Sequence, residues 1–421
     1  MSQSRRSFLG QSAAGATAFT IIRPELVRGA GKAKLKAGLI GCGGRGTQAV
    51  ENLMTGDDSV ELVAVADIFE DRQESSLKRL KGLNPKISDR IKVTPETRFI
   101  GFDAFKKLAA SDLDIVMLAT PPGYRPEHFE AAINAKKHVF CEKPFGTDPV
   151  GVRRFMDAAK KSEELKLTVM SGAQRRFQRD YVETLDKIKQ GAIGDIAALY
   201  AYWIGGPVIQ QKGRNAQWGD MEWQHRAWYS FVWICGDQVV EQHLHNIDVC
   251  NWFMNAHPVK CVASGGAIWR PKEELYGNIY DHISADFTYA NGVHMSSYCR
   301  QYPKGCYNNV SELVVGTKGR SNAHDLGSSP RSRDPLENPY VREHIAMMNS
   351  IRGDGPYVNH AMAVAESTMT CIMARESAYS GMELTWDMMM NSKLDLQPKN
   401  FDYKLKMDVP PLPVPGQYKF I

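Results

Sequence analysis

Leu35-Lys36-Ala37-Gly38-Leu39-Ile40-Gly41-Cys42-Gly43-Gly44-Arg45-Gly46 is a short strand running into a glycine loop, and Thr47 to Met54 reads as the helix start beyond it. Such a loop has a physical logic. One glycine makes the tight turn, the next lets backbone approach a pyrophosphate, and the third allows close helix–strand packing. The pyrophosphate sits on the helix N-terminus, where unpaired amides and the dipole favour an anion. Alone the pattern is weak, so its surroundings decide. Val60 to Ala66 is a second strand, and it ends on Asp67, about 20 residues past the loop, where a ribose-binding acid belongs. An acid there favours NAD, because it would repel a 2′-phosphate; Arg72 nearby leaves NADP open.

Downstream the chain alternates strands and helices. Asp71 to Leu80 is helical, a candidate strand lies near Ile91 to Val93, and Phe102 to Ala110 is helical. Asp114 to Ala119 is continuously apolar, as a buried parallel strand is. It ends in Thr120-Pro121-Pro122, and a helix from His128 to Ala135 follows. The next strand lies within Lys137-His138-Val139-Phe140-Cys141-Glu142-Lys143-Pro144-Phe145-Gly146. Strands alternating with helices at this interval mean a doubly wound parallel sheet. Ligands gather at the carboxyl ends of such strands. Asp67, Thr120 and Glu142-Lys143 all fall there.

The glycine loop, Thr-Pro-Pro, the downstream His128 and His-Val-x-x-Glu-Lys-Pro together resemble the glucose–fructose oxidoreductase, inositol dehydrogenase and MocA family. The likeness extends over nearly all of the chain after residue 33. It implies an α/β fold: an N-terminal Rossmann domain, here residues 34–155, and a C-terminal α/β domain, here 156–421, with an open, mainly antiparallel sheet. Residues 336–421 would be its closing helices and a proline-rich, extended tail. The cofactor would lie along Gly41, Cys42, Gly43, Gly44, Arg45, Gly46, Asp67, Thr120, Pro121, Pro122, His128, Glu142 and Lys143. By the same likeness Lys143 contacts both the nicotinamide ribose and the reacting hydroxyl, and Pro144 is a cis proline.

The second constellation is Asp237-Gln238-Val239-Val240-Glu241-Gln242-His243-Leu244-His245-Asn246-Ile247-Asp248. Relatives show an acid, a histidine one turn later and an aspartate three beyond it, which Glu241, His245 and Asp248 match. At i and i+4 on one helix, Glu241 and His245 would share a face. His245 then serves as general base, its ordinary pKa lying near neutrality. The family's usual acid is aspartate, and His243 intervenes here. Glu-x-His-x-His could also bind a divalent metal, but no further ligand cluster accompanies it, so no metal is expected. Arg176, Tyr229, Asp248 and Arg300 are the substrate candidates. For Arg176 a structural ion pair is an equal alternative, and for the aromatic run ending at Tyr229 so is packing on its own core.

At 421 residues, two domains are the default. A 43% hydrophobic and 24% charged composition excludes a disordered chain, and no apolar run is long enough to span a bilayer. Ser4-Arg5-Arg6-Ser7-Phe8-Leu9 before a mildly apolar stretch reads as a twin-arginine export signal over residues 1–33. That segment carries five basic residues against Glu25, a net of +4, so little of the chain's +5 remains and nucleic-acid binding loses its support. The eight cysteines lack paired spacing and suggest neither zinc nor disulfides. The expected partners are a carbohydrate substrate and the export machinery, with a homodimer or homotetramer by family likeness.

The function this implies is hydride transfer from a sugar, cyclitol or related polyol to NAD. In an exported protein the cofactor must stay bound, so a second substrate would reoxidise it. One alternative is an NAD-dependent glycoside hydrolase or lyase, working by transient oxidation, elimination and re-reduction. The other is a non-catalytic sugar-binding protein.

Overall fold

The computed structural model describes residues 33–208, 213–328 and 332–421. The export reading of residues 1–33 falls almost entirely outside them. Within 35–421 the chain forms a six-stranded parallel sheet and a seven-stranded mixed sheet.

The first sheet comprises β1 (Leu35–Ile40), β2 (Val60–Asp67), β3 (Arg98–Ile100), β4 (Ile115–Leu118), β5 (His138–Cys141) and β6 (Val169–Ser171), in the order β3-β2-β1-β4-β5-β6. All its pairings are parallel. The order reverses between β1 and β4, and that reversal opens the crevice in which doubly wound sheets bind nucleotides. Every side chain of β4 is buried, as its unbroken apolar run requires. Helix α1 (Gly44–Gly56) turns Ala49, Val50 and Leu53 to the sheet, and α2 (Glu70–Lys81) follows β2. One expectation fails. The strand near Ile91 to Val93 is a lone bridge between Ile91 and Leu62. The edge strand is instead β3, which follows a one-turn helix at Pro95–Thr97.

Helices α3 (Ala104–Ala109), α4 (Arg125–Asn134) and α5 (Pro149–Glu164) complete the Rossmann layers. Asp148 caps α5, its carboxylate accepting from the Gly151 amide at 2.7 Å. The Lys143–Pro144 peptide is cis.

The second sheet holds β7 (Ile196–Gly205), β8 (Pro258–Gly266), β9 (His282–Tyr289), β10 (His294–Gln301), β11 (Asn309–Gly316), β12 (Arg320–Ser321) and β13 (Leu384–Thr385). Its order is β12-β11-β7-β10-β9-β8-β13, antiparallel throughout except for the β7–β10 pair. Alternation along β10 is clean: Met295, Ser297, Cys299 and Gln301 point inward, while His294 and Tyr298 face out. Helices α6 (Gln238–Glu241), α7 (Leu244–Met254) and α9 (Ala361–Ser380) pack on the inner face, while α8 (Pro339–Arg352) packs against α1 and β6 of the first sheet. α9 is buried on nearly every face and touches β8, α5 and α7, so one helix joins the two layers. Its small residues, such as Ala365, Ser367 and Ala374, permit that close approach. Seven of the eight cysteines are buried and unpaired, and Cys306 is exposed.

Candidate active site

The carboxyl ends of β1, β2, β4 and β5 open into a cavity of about 770 Å³ whose opposite wall comes from α6, α7 and the 225–228 turn. Two glycines of the loop are sterically fixed. Gly41 has φ +93°, and a Cβ there would lie 2.6 Å from the Ala119 backbone. A Cβ on Gly46 would lie 2.0 Å from the Gly41 carbonyl, so this glycine permits the close helix–strand packing. By contrast a Cβ on Gly43 or Gly44 would meet nothing within 4 Å, because both face the open crevice. The α1 N-terminus begins at Gly44 with no side-chain cap, leaving its amides for an anion. These features fit a dinucleotide pyrophosphate.

Asp67 ends β2 and holds this geometry. One carboxylate oxygen accepts from the Cys42 amide at 2.6 Å and the other from the Phe69 amide at 2.9 Å. Burial raises its pKa, with those amides opposing the rise. Cys42 itself points its Sγ into the core toward the Ala66 carbonyl, so it offers the crevice only its backbone. Arg45 crosses the loop. Its Nε donates to Glu142 at 2.5 Å, its guanidinium lies 3.5 Å from buried Glu343, and the Tyr340 ring sits 4.8 Å below. Glu142 fits only because residue 172 is glycine: a Cβ there would lie 2.5 Å from its carboxylate.

Thr120 and Pro121 line the cavity, whereas Pro122 opens a one-turn helix behind it. His128 lies deeper. It faces Thr120 Oγ1 at 3.4 Å, stacks on Phe105 with centroids 4.0 Å apart, and lines a separate small cavity. Burial pushes its pKa down to about 3, so it is a neutral packing ring at pH 7.

Lys143, Glu241 and His245 converge on the main cavity. Lys143 Nζ donates to the Glu241 carbonyl and lies 3.5 Å from the Glu241 carboxylate. Burial raises the Glu241 pKa, and the neighbouring Lys143 charge opposes that rise. For His245, burial first and the Lys143 charge second hold the pKa well below 6.5, leaving a neutral imidazole able to accept a proton. Its ring stacks on Trp203 at 6.0 Å. The two residues do not share one helix. Glu241 closes α6, His245 lies in the first turn of α7, and Gln242-His243 make the break between them. The break turns His243 away from the cavity, where its Nε2 hydrogen-bonds Ser297 Oγ of β10 at 2.7 Å. Glu-x-His-x-His therefore does not converge, and no group of three ligating side chains suited to a metal exists among the described residues.

The four substrate candidates do not line this cavity. Arg176 and Asp248 form a bidentate pair at 2.9 and 2.8 Å, so the structural ion pair is what Arg176 makes, with Asp248 rather than a nearer acid. Ser367 adds a further hydrogen bond to Asp248 at 2.9 Å. Tyr229 is buried behind the wall, its hydroxyl accepting from Gln301 at 3.3 Å. Arg300 alternates to the outer side of β10 and donates to the Tyr307 carbonyl at 2.6 Å. Residues that do line the cavity, and that sequence patterns did not single out, include Arg125, Gln174, His225, Arg226 and Tyr340. Arg125 and Tyr340 lie in the first turns of α4 and α8, Gln174 in the short helix after β6, and His225 and Arg226 at the end of the helix Asp220–Arg226.

Residues 35–171 match the family model described as "Oxidoreductase family, NAD-binding Rossmann fold". The match takes in all six strands of the first sheet, β1 to β6. The chain is 29% identical over 160 residues to a myo-inositol 2-dehydrogenase of Thermotoga maritima, covering 38% of this chain and 42% of the relative. It is 26% identical over 222 residues to an inositol 2-dehydrogenase of Salmonella typhimurium, covering 52% and 55%. The chain thus spans about half the length of these curated relatives. The fold of a Lactobacillus casei scyllo-inositol dehydrogenase, solved with NAD(H) and scyllo-inositol, superposes with a TM-score of 0.64 at 19% identity, covering 84% of this chain and 99% of that one. That likeness is one of fold, and it includes the second sheet as well as the NAD-binding domain.

Proposed function

We propose that this protein is an NAD-dependent oxidoreductase that removes hydride from a hydroxyl-bearing carbon of a cyclitol, sugar or related polyol. One observation carries the reading. Lys143, Glu241 and His245 face the same cavity as the glycine loop and Asp67, so proton-handling groups sit beside the nucleotide cleft. NAD, when bound, supplies the hydride acceptor. His245 accepts the hydroxyl proton because its imidazole is held neutral. The Lys143 ammonium stabilises the alkoxide that develops on the substrate oxygen. Glu241 fixes that ammonium by ion pair and main-chain bond. The names of the relatives point to a cyclitol as the first substrate to try.

Export by the twin-arginine machinery, into a periplasm or its equivalent, belongs to the same proposal and rests on Arg5-Arg6 before an apolar stretch. Among the described residues, no helix is long and apolar enough to cross a membrane.

The test is to load purified protein with NAD and follow absorbance at the reduced nicotinamide band with myo-inositol, scyllo-inositol and a panel of aldoses. Reduction with at least one polyol is expected. Binding of NAD with no reduction by any of them, and no exchange of solvent deuterium into them, would leave only a binding role and end the oxidoreductase reading.

A further inference from the structure

One feature of the cavity is its roof at the Asp67 end. The ribose acid ends β2, and the adjoining residues Ile68, Phe69 and Arg72 border the same end of the cavity. Two segments from far along the chain fasten onto this corner. From the first, Arg226 lines the cavity, its guanidinium 3.9 Å above the Phe69 ring and 4.9 Å from the Trp218 ring. Arg226 also bonds Asp71 in the first turn of α2 at 3.2 Å and Glu222 at 3.0 Å. From the second, Tyr403 donates its hydroxyl proton to the Ile68 carbonyl, one residue past the ribose acid. Its ring lies 4.8 Å from Phe102, and Phe401 lies 5.6 Å from the same ring.

The two segments are also tied to each other. The Met221 amide donates to the Leu405 carbonyl at 3.2 Å, and the Met407 amide to Asp220 at 3.1 Å. Lys404 Nζ donates to the Gln217 carbonyl. Residues 217–228 and 401–407 therefore behave as one body, anchored on the corner where the adenosine ribose is bound in such folds.

We propose that residues 217–228 and 401–407 form a strap over the adenosine end of the cofactor, with Arg226 and Tyr403 as its fastenings, so that NAD stays bound through many turnovers. The proposal rests on the NAD-dependent reading above and adds to it a resident cofactor.

The experiment loads the full chain with radiolabelled NAD, removes free label by gel filtration, and times release into excess unlabelled NAD. Wild-type protein is expected to keep its label through the column and to release it more slowly than it turns over. Arg226→Ala and Tyr403→Phe are each expected to release it at least tenfold faster. Equal release rates in wild type and both variants overturn the strap, as does wild-type release faster than turnover. Failure of wild-type protein to bind NAD at all overturns the oxidoreductase reading itself, a distinct outcome. Amide hydrogen exchange on wild-type protein supplies a check that needs no variant. Exchange across 217–228 and 401–407 is expected to slow when NAD binds, and unchanged exchange there overturns the proposal.

Discussion

Lys143 is held from two sides, by the Glu241 carbonyl and the Glu241 carboxylate, and its charge adds to burial in keeping His245 unprotonated. Removing either proton-handling group should therefore act on chemistry before it acts on binding. His245→Ala and Lys143→Met are expected to lower kcat by about 10²–10⁴-fold while NAD still binds, since general acid–base groups contribute that much. Loss of NAD binding in parallel with kcat would show that these residues hold the cofactor instead. Lys143→Met should also raise the His245 pKa part of the way back toward 6.5, because burial, the larger cause, remains. Titration of the imidazole by NMR reads this, and a fall would contradict the geometry. His344 offers a cleaner sign. It is fully buried against Phe140 with neither ring nitrogen bonded, and its pKa falls to about 3. The unfolded chain takes up a proton near pH 6.5 and the folded chain does not, so the histidine's contribution to stability declines as pH falls below 6.5. His344→Phe should thus gain on wild type by roughly 2 kcal/mol between pH 7.5 and 5. Denaturant midpoints at the two values check it; a constant difference would mean the imidazole protonates in place.

At the scale of elements, the sequence displayed what depends on local pattern and concealed what depends on the second layer. The glycine loop, Asp67 at the end of β2, the apolar β4 and the Glu-Lys-Pro turn are each readable because backbone geometry and burial act on neighbouring residues. The break at Gln242-His243 was not readable from i, i+4 spacing, because β10 draws His243 inward through Ser297. Nor was β3, three residues long, distinguishable from the bridge at Ile91. Asp248 kept its family spacing yet belongs to a buried pair. Arg176 has a side-chain exposure of 10% and Asp248 of 2%, and the pair joins the turn after β6 to α7. Breaking one side leaves a buried charge unpaired. Arg176→Ala should cost about 3–5 kcal/mol, and Arg176→Met with Asp248→Leu should cost less than either single change. Urea unfolding measures both. A raised KM in Arg176→Ala with unchanged stability would restore the arginine to the substrate site.

On the scale of the whole molecule, the outer face of the second sheet carries its own signal. Tyr200, Tyr202 and Tyr298 stack in a row across β7 and β10, with centroids 6.4 and 5.6 Å apart. Tyr298 is 43% exposed and Val262, on the same face, 51%, on an alternating sheet whose inner side is already covered by helices. A row of aromatic rings left open to water is costly, and such surfaces mark association sites. It lies on the side of the sheet away from Glu241 and His245, so association there would leave the cavity free. We propose that this face joins protomers into a homodimer or homotetramer. Light scattering of purified protein should give two or four chains. Tyr298→Lys combined with Val262→Lys places two like charges on the shared face, doubled by symmetry in a two-fold interface. That variant is expected to run as a monomer. A monomeric wild type, or a double variant of unchanged mass, would mean the tyrosine row is covered by something other than a second copy of this chain.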